Sequence, residues 1–254
     1  GPPRKMFAGR PLASQVLARK EYGFMSPSDF SSPVFAQWRA HAASDWSAYV
    51  DHAFVRGLGD GSLPETAFLH YLVQDYIFLF HFSRAWGMAV LKAESHEELE
   101  LASATVHALV NHEMPLHIEI CAKAGIPRET LLQTDEEPEN LSYTRYVIDA
   151  GLSGDFLDLI AALAPCVMGY GEIGARLAAT ASAGNPYQPW IDAYAGQDYQ
   201  EACHAVGRLI ESSVHARLGP SPQTSGRWKT LNRRFRVATR LEAGFWSMGL
   251  HGAG

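Results

Sequence analysis

The chain has 254 residues, 47% of them hydrophobic, which suits one large domain with an ordinary core better than two small ones. Its formal net charge of −6 offers no basic footprint for a nucleic-acid backbone. The longest apolar run, Leu159 to Val167, falls short of the roughly 20 residues that span a bilayer, and three cysteines with no C-x-x-C pair make neither a disulfide framework nor a zinc knuckle.

Residues 1–24 carry Arg4, Lys5, Arg10, Arg19 and Lys20 but no long apolar stretch, so they are not a secretory signal. Gly1-Pro2 reads as a protease scar and Met25 as a native start. Residues 1–24 are therefore expected to be a poorly ordered extension, and residues 25–254 the domain. An amphipathic stretch ends at Asp51-His52-Ala53-Phe54, and Gly57 to Gly61 reads as a turn. Pro64 and Glu65 then open a helix that runs to about Lys92, with Pro in its first turn. Phe68, Tyr71, Leu72, Asp75, Phe78, Leu79 and Phe82 share one of its faces, at steps of three and four.

A second long helix is predicted from Glu97 to Ala124, stopped by Gly125 with Pro127 just beyond. Gln133 to Asn140 reads as a loop and Leu141 to Leu152 as a short helix closed by Ser153-Gly154. Asp155 to Ala181 is long again and ends at Gly184-Asn185-Pro186. Helices over Asp198 to Leu218 and Gln223 to Gly249 complete the chain. No N-G hairpin and no period-2 run is found. The expected fold class is all-α: a single bundle of seven or eight helices joined by short loops.

The most informative segment is Leu159 to Ala175, LIAALAPCVMGYGEIGA. Pro costs roughly 3 kcal/mol in a helix interior and Gly about 1, so Pro165, Gly169, Gly171 and Gly174 need an offsetting gain. Close helix packing is one, and a ligand lying against the backbone is another. Cys166 adjoins the proline bend, with Tyr170 one turn on; taken alone, such a cysteine is usually an inert core residue. Asp75 sits among aromatic and aliphatic residues, where a carboxylate must be paired or functional. A salt bridge to Arg84 would satisfy it without function. Glu242 repeats the pattern in LEAGFWSM, with Phe245 and Trp246 following, and its plain reading is a helix-surface glutamate. Two acids and one thiol among aromatic rings suit a flat, nitrogen-rich, partly cationic ring.

GLGDGSLP from Gly57, YLVQDY from Tyr71, Ser142-Tyr143, SGDF from Ser153, AALAPC ending at Cys166 with YGEIG from Tyr170, YQPWI from Tyr187 and FWSM from Phe245 resemble, in order and spacing, the motifs of the TenA/thiaminase II family. The resemblance spans about residues 30 to 250. It implies a haem-oxygenase-like helical fold without haem or other cofactor or metal. It further implies hydrolysis of aminomethylpyrimidine to hydroxymethylpyrimidine, thiamin cleavage in many members and a homotetramer, with Trp38, Trp46 and Trp228 as candidate exposed contacts; the cysteine usage independently suits a reducing cytoplasm. Carried over by residue, Cys166 matches the family's nucleophile, Glu242 its general acid, and Asp75 the carboxylate that grips the pyrimidine amine and ring nitrogen. Tyr143, Tyr170, Tyr194 and Phe245 match pocket aromatics. Phe78 departs from members that have tyrosine there; stacking survives the change and a hydroxyl hydrogen bond does not.

Two other readings stand beside this one. A metal-dependent oxidase on the same fold would use Glu113 with His117, or Glu201 with His204, but di-iron bundles use two E-x-x-H motifs and this chain has one. A non-enzymatic pyrimidine-binding or regulatory protein would keep the pocket without needing Cys166. The basic cluster Arg227, Lys229, Arg233, Arg234, Arg236 and Arg240 fits that reading, and fits a solvated helix face or dimer contacts as well.

Overall fold

A computed structural model of the protein describes residues 26–253, so the expectations for residues 1–24 lie outside the described residues. Among the described residues there is no strand, and twelve α-helices form the fold. In chain order they are α1 (Pro33–His41), α2 (Ala43–Val50), α3 (Ala53–Asp60), α4 (Glu65–Lys92), α5 (His96–Ala108), α6 (Met114–Lys123), α7 (Arg128–Gln133), α8 (Pro138–Ser153), α9 (Phe156–Thr180), α10 (Gln188–Ala195), α11 (Gln197–Leu218) and α12 (Gly226–Gly249). The expected seven or eight were too few. Four short helices that precede or bridge the long ones escaped, because eight residues or fewer hold barely two turns of periodicity to read.

The long elements begin and end where punctuation places them. Pro64 caps α4, and Asp155 caps α9 with a reciprocal capping box to Asp158. The segment Gly57 to Gly61 is not a turn throughout: α3 runs through Gly57 and Gly59, and only Gly61, at φ 78°, leaves the helix. A side chain at Gly59 would collide with Leu177 of α9, so this glycine is explained by close packing rather than by a bend. The stretch expected as one helix from Glu97 to Ala124 is continuous but irregular. A π turn over Leu109–Glu113 joins α5 to α6, directly before Pro115, which has no N–H to give the turn behind it.

Helix α9 is the axis of the fold, packed by α12, α10, α8 and α11. By length and composition it is apolar enough to cross a membrane, but 83% of its most apolar window is buried inside the bundle. Its start is tied to α12 by Arg227, which bonds Asp155 and Asp158 at 2.8 Å. Arg234 reaches Asp158 as well, at 3.5 Å. Three of the six basic residues of α12 therefore reach other helices, the third being Arg240, exposed but 3.9 Å from Asp45 of α2, while Lys229, Arg233 and Arg236 face solvent.

Trp38, Trp46 and Trp228, expected at the surface, are buried at 0%, 5% and 7% exposure. They pack around Phe235 and Phe35 where α1 and α2 cover α12. Their apolar area is worth more inside this cluster than at a contact between copies. The large apolar side chains that do face solvent include Phe80, Leu91 and Leu152.

Candidate active site

Asp75 comes from α4, Tyr143 from α8, Cys166 and Tyr170 from α9, Tyr194 from α10 and Glu242 with Phe245 from α12. These helices converge, and the predicted residues meet. Tyr143 donates its hydroxyl to Glu242 Oε1 at 2.6 Å, deep in the core. Glu242 is 2% exposed, so it is no surface glutamate. Burial raises its carboxyl pKa to about 8, against the lowering effect of the Tyr143 hydrogen bond, and the charge of Asp75 adds to the rise. At neutral pH Glu242 therefore carries a proton.

Cys166 is paired with Glu242. Burial first, then the charges of Glu242, Asp75 and Glu113, push its thiol well above the usual cysteine range. The resting group is a neutral thiol, and attack by it needs proton transfer at the same time. Although it lies among core residues, Cys166 remains part-exposed, unlike Cys121 and Cys203.

The backbone around Cys166 is held from outside. Tyr49 donates to the Pro165 carbonyl at 3.1 Å, Tyr199 donates to the Val167 carbonyl at 3.1 Å, and Gln200 donates to the Gly171 carbonyl at 2.9 Å. The three glycines of this segment accommodate neighbours: a side chain at Gly169 would strike Tyr49, at Gly171 Cys203, and at Gly174 the backbone of Tyr194. Close packing, not ligand approach, accounts for all three.

Aromatic rings enclose the polar groups. Tyr170 stacks on Trp246 at 5.4 Å between ring centres and meets Tyr194 edge-on at 4.9 Å. Phe78 lies 5.1 Å from Tyr143 and 5.4 Å from Phe245. Tyr71, which sequence reasoning placed on the right face but gave no role, exchanges a 3.1 Å hydrogen bond with Tyr170.

Asp75 is 5% exposed, and its partner is not Arg84, which is exposed and contacts His81. The partner is His117, whose Nε2 lies 2.6 Å from Asp75 Oδ2. His117 Nδ1 donates to the Glu113 carbonyl at 3.0 Å. Burial works to lower the His117 pKa, but the hydrogen bond and charge of Asp75, with Glu113 behind, bring it above the usual histidine range. Both ring nitrogens are thus occupied. The second candidate metal pair is also engaged elsewhere, with His204 on Ser31 and Glu201 on Gln197. Sequence reasoning named His117 only as a metal candidate with Glu113; its pairing with Asp75, 42 residues away in the chain, is a tertiary contact that no local pattern signals.

The sequence model of the TENA/THI-4/PQQC family matches residues 39–252. An uncharacterised protein of Haemophilus influenzae is 36% identical over 81% of this chain and 93% of its own length. An aminopyrimidine aminohydrolase of Halalkalibacterium halodurans is 32% identical over 80% of this chain and 89% of its own. Among solved structures, a TenA family transcription regulator from a Silicibacter species superimposes with a TM-score of 0.86 at 56% identity, covering 88% of this chain and 99% of that one. A TenA homologue from Pyrococcus horikoshii gives a TM-score of 0.75 at 26% identity, over 86% of this chain and 99% of that one.

Proposed function

Because this chain belongs to the TENA/THI-4/PQQC family, we propose that it hydrolyses 4-amino-5-aminomethyl-2-methylpyrimidine to the hydroxymethylpyrimidine and ammonia, and cleaves thiamin by the same chemistry, in thiamin salvage. The observation that carries this reading is the part-exposed thiol of Cys166 beside the buried pair of protonated Glu242 and Tyr143, set among aromatic rings with Asp75. The aminopyrimidine aminohydrolases of Halalkalibacterium halodurans and Bacillus subtilis, the latter 30% identical, support the substrate class.

Asp75 accepts from the exocyclic amine and ring nitrogen of the pyrimidine, with Tyr170, Tyr194, Phe78 and Phe245 enclosing the ring. The thiol of Cys166 adds to the ring carbon beside the substituted one, forming a C–S bond while its proton passes to the ring. Glu242 gives its proton to the exocyclic amine, the C–N bond breaks and ammonia leaves. Water adds to the electrophilic exocyclic carbon and returns a proton to Glu242. The C–S bond then breaks, and the ring proton returns to the thiol. The sum consumes one water and releases one ammonia. Glu242 serves as general acid and then base, a role suited to a carboxyl with a pKa near the working pH.

Ammonia release from the aminomethyl substrate, compared with thiamin cleavage, tests the reading; turnover of neither sinks it. A regulatory binding protein is the second reading, favoured by the name of the Silicibacter relative. It requires pyrimidine binding without turnover, so the same assay separates the two. The assembly we propose is a homotetramer in a reducing cytoplasm, with exposed Phe80, Leu91 and Leu152 available for contacts between copies. Light scattering that finds only monomer at micromolar concentration would remove the tetramer.

A further inference from the structure

Burying the Asp75 carboxylate without a cation would either cost several kcal/mol or force it neutral. Among the described residues no arginine or lysine pairs with it, and the hydrogen-bonded partner is His117. The two side chains are 8% and 7% exposed, so the pair is desolvated and its 2.6 Å contact is little screened. A carbonyl oxygen only accepts, so the bond to Glu113 fixes a proton on His117 Nδ1. Nε2 is then the atom that decides what Asp75 becomes. With a proton there, the imidazole holds Oδ2 and leaves Oδ1 for a ligand.

The backbone places this imidazole by an unusual route. The π turn over Leu109–Glu113 inserts an extra residue into the helical repeat, which swings the following side chains about 100° around the axis. Beyond the turn, His117 of α6 meets Asp75 of α4. Around the pair stand Cys121 of α6, Glu113 of the π turn, Tyr71 of α4, Cys166 and Tyr170 of α9, Tyr194 of α10 and Glu242 of α12. None of these can be cationic, so His117 is the group there that can carry a positive charge.

We propose that His117 is a positioning residue: its Nε2–H clamps Asp75 Oδ2, so that the carboxylate meets the amidine-like edge of the pyrimidine as an oriented anion. The inference rests on the pyrimidine-gripping role of Asp75 proposed above.

The two ring nitrogens can be imitated separately. In His117→Gln the side-chain amide N–H reaches the place of Nε2, and in His117→Asn it reaches only the place of Nδ1. Calorimetric titration with 4-amino-5-hydroxymethyl-2-methylpyrimidine reads the outcome. Losing one charge-assisted buried hydrogen bond predicts binding weaker by about 10- to 100-fold in His117→Asn and His117→Leu, but by less than about fivefold in His117→Gln. In an Asp75→Asn background, adding His117→Leu should cost less than about threefold, since its partner is already gone.

Equal losses in the Gln and Asn variants would overturn the inference, as would the same loss from His117→Leu with and without the Asp75 carboxylate. Should the leucine variant fail to fold, the Gln and Asn comparison still decides. If Asp75→Asn alone binds like the parent, the role of Asp75 itself is wrong. If Asp75→Asn weakens binding while His117→Asn does not, only the role of His117 falls.

Discussion

Two buried carboxylates lie close enough to feel each other's charge and are treated in opposite ways. Glu242, on α12, has a phenol and a thiol for company, neither of them a cation, and desolvation holds it protonated. Asp75, on α4, has an imidazole 2.6 Å away, and that imidazole is drawn toward its charged form. Surroundings, not residue type, separate them: burial keeps the one carboxyl protonated, and the other has a hydrogen-bonding imidazole beside it. The thiol lies between them, kept neutral by burial and by both carboxyls.

The sharpest way to break this comparison is to remove the group that both halves serve. Cys166→Ser is expected to fold, to bind hydroxymethylpyrimidine and to lose turnover by at least about a thousandfold, since a hydroxyl without a histidine base is a poor nucleophile. Cys121→Ser and Cys203→Ser should release ammonia at parental rates if they remain folded. Parental activity in Cys166→Ser would end the covalent mechanism.

Glu242→Gln should slow turnover by about 10²–10⁴-fold through lost proton transfer. In the parent, kcat/KM should fall as pH rises through about 8, where Glu242 loses its proton, and this limb should be absent in the variant. The same group sets a stability trend. Its folded pKa lies above its unfolded value, so its contribution is fully present below pH 4.5 and is lost as pH rises through about 8. Glu242→Gln removes that linkage, and its Tm should gain on the parent's between pH 5 and 9. Parallel Tm curves would mean that Glu242 is not held protonated.

Asp75→Asn tests the other carboxylate. An amide offers a donor where the amidine-like edge needs an acceptor, and breaking a buried charge pair predicts a binding loss of roughly 2–5 kcal/mol. Tight binding of hydroxymethylpyrimidine by this variant would erase the distinction between the two acids. Phe78→Tyr should have the smallest effect. One added hydroxyl beside Tyr143 and Phe245 is worth about 0.5–1.5 kcal/mol if it finds a partner, a change in kcat/KM of at most about tenfold. Measured on both the aminomethyl substrate and thiamin, that change tells whether Phe78 sets the choice between them.

The long helices were legible because each combines a stop signal with many turns of periodicity. Asp155 and Gly184 bracket α9, and Pro64 opens α4. Among the site residues, Asp75 and Glu242 were legible as carboxylates in apolar surroundings. Cys166 and the pocket tyrosines became specific only through the resemblance to a family. His117 was read only as a metal candidate, because its partner Asp75 lies 42 residues away and the contact exists only once α4 and α6 pack. The tryptophans were misplaced because neighbouring polar residues in α1 and α2 obscure which face turns inward. Only tertiary packing around Phe235 decides it.

The ring stack at the pocket also makes the protein its own spectrometer. Of six tryptophans, Trp246 and Trp190 lie against Tyr170, Trp86 meets Phe82 edge-on, and Trp38, Trp46 and Trp228 pack in the cluster with Phe235 or its neighbours. If the proposed pyrimidine site is right, a ligand bound beside Tyr170 is expected to change the polarity and quenching around the first pair most strongly. Ligand occupancy can then be followed in the unlabelled chain by its intrinsic fluorescence, with Trp246→Phe identifying which emitter carries the signal.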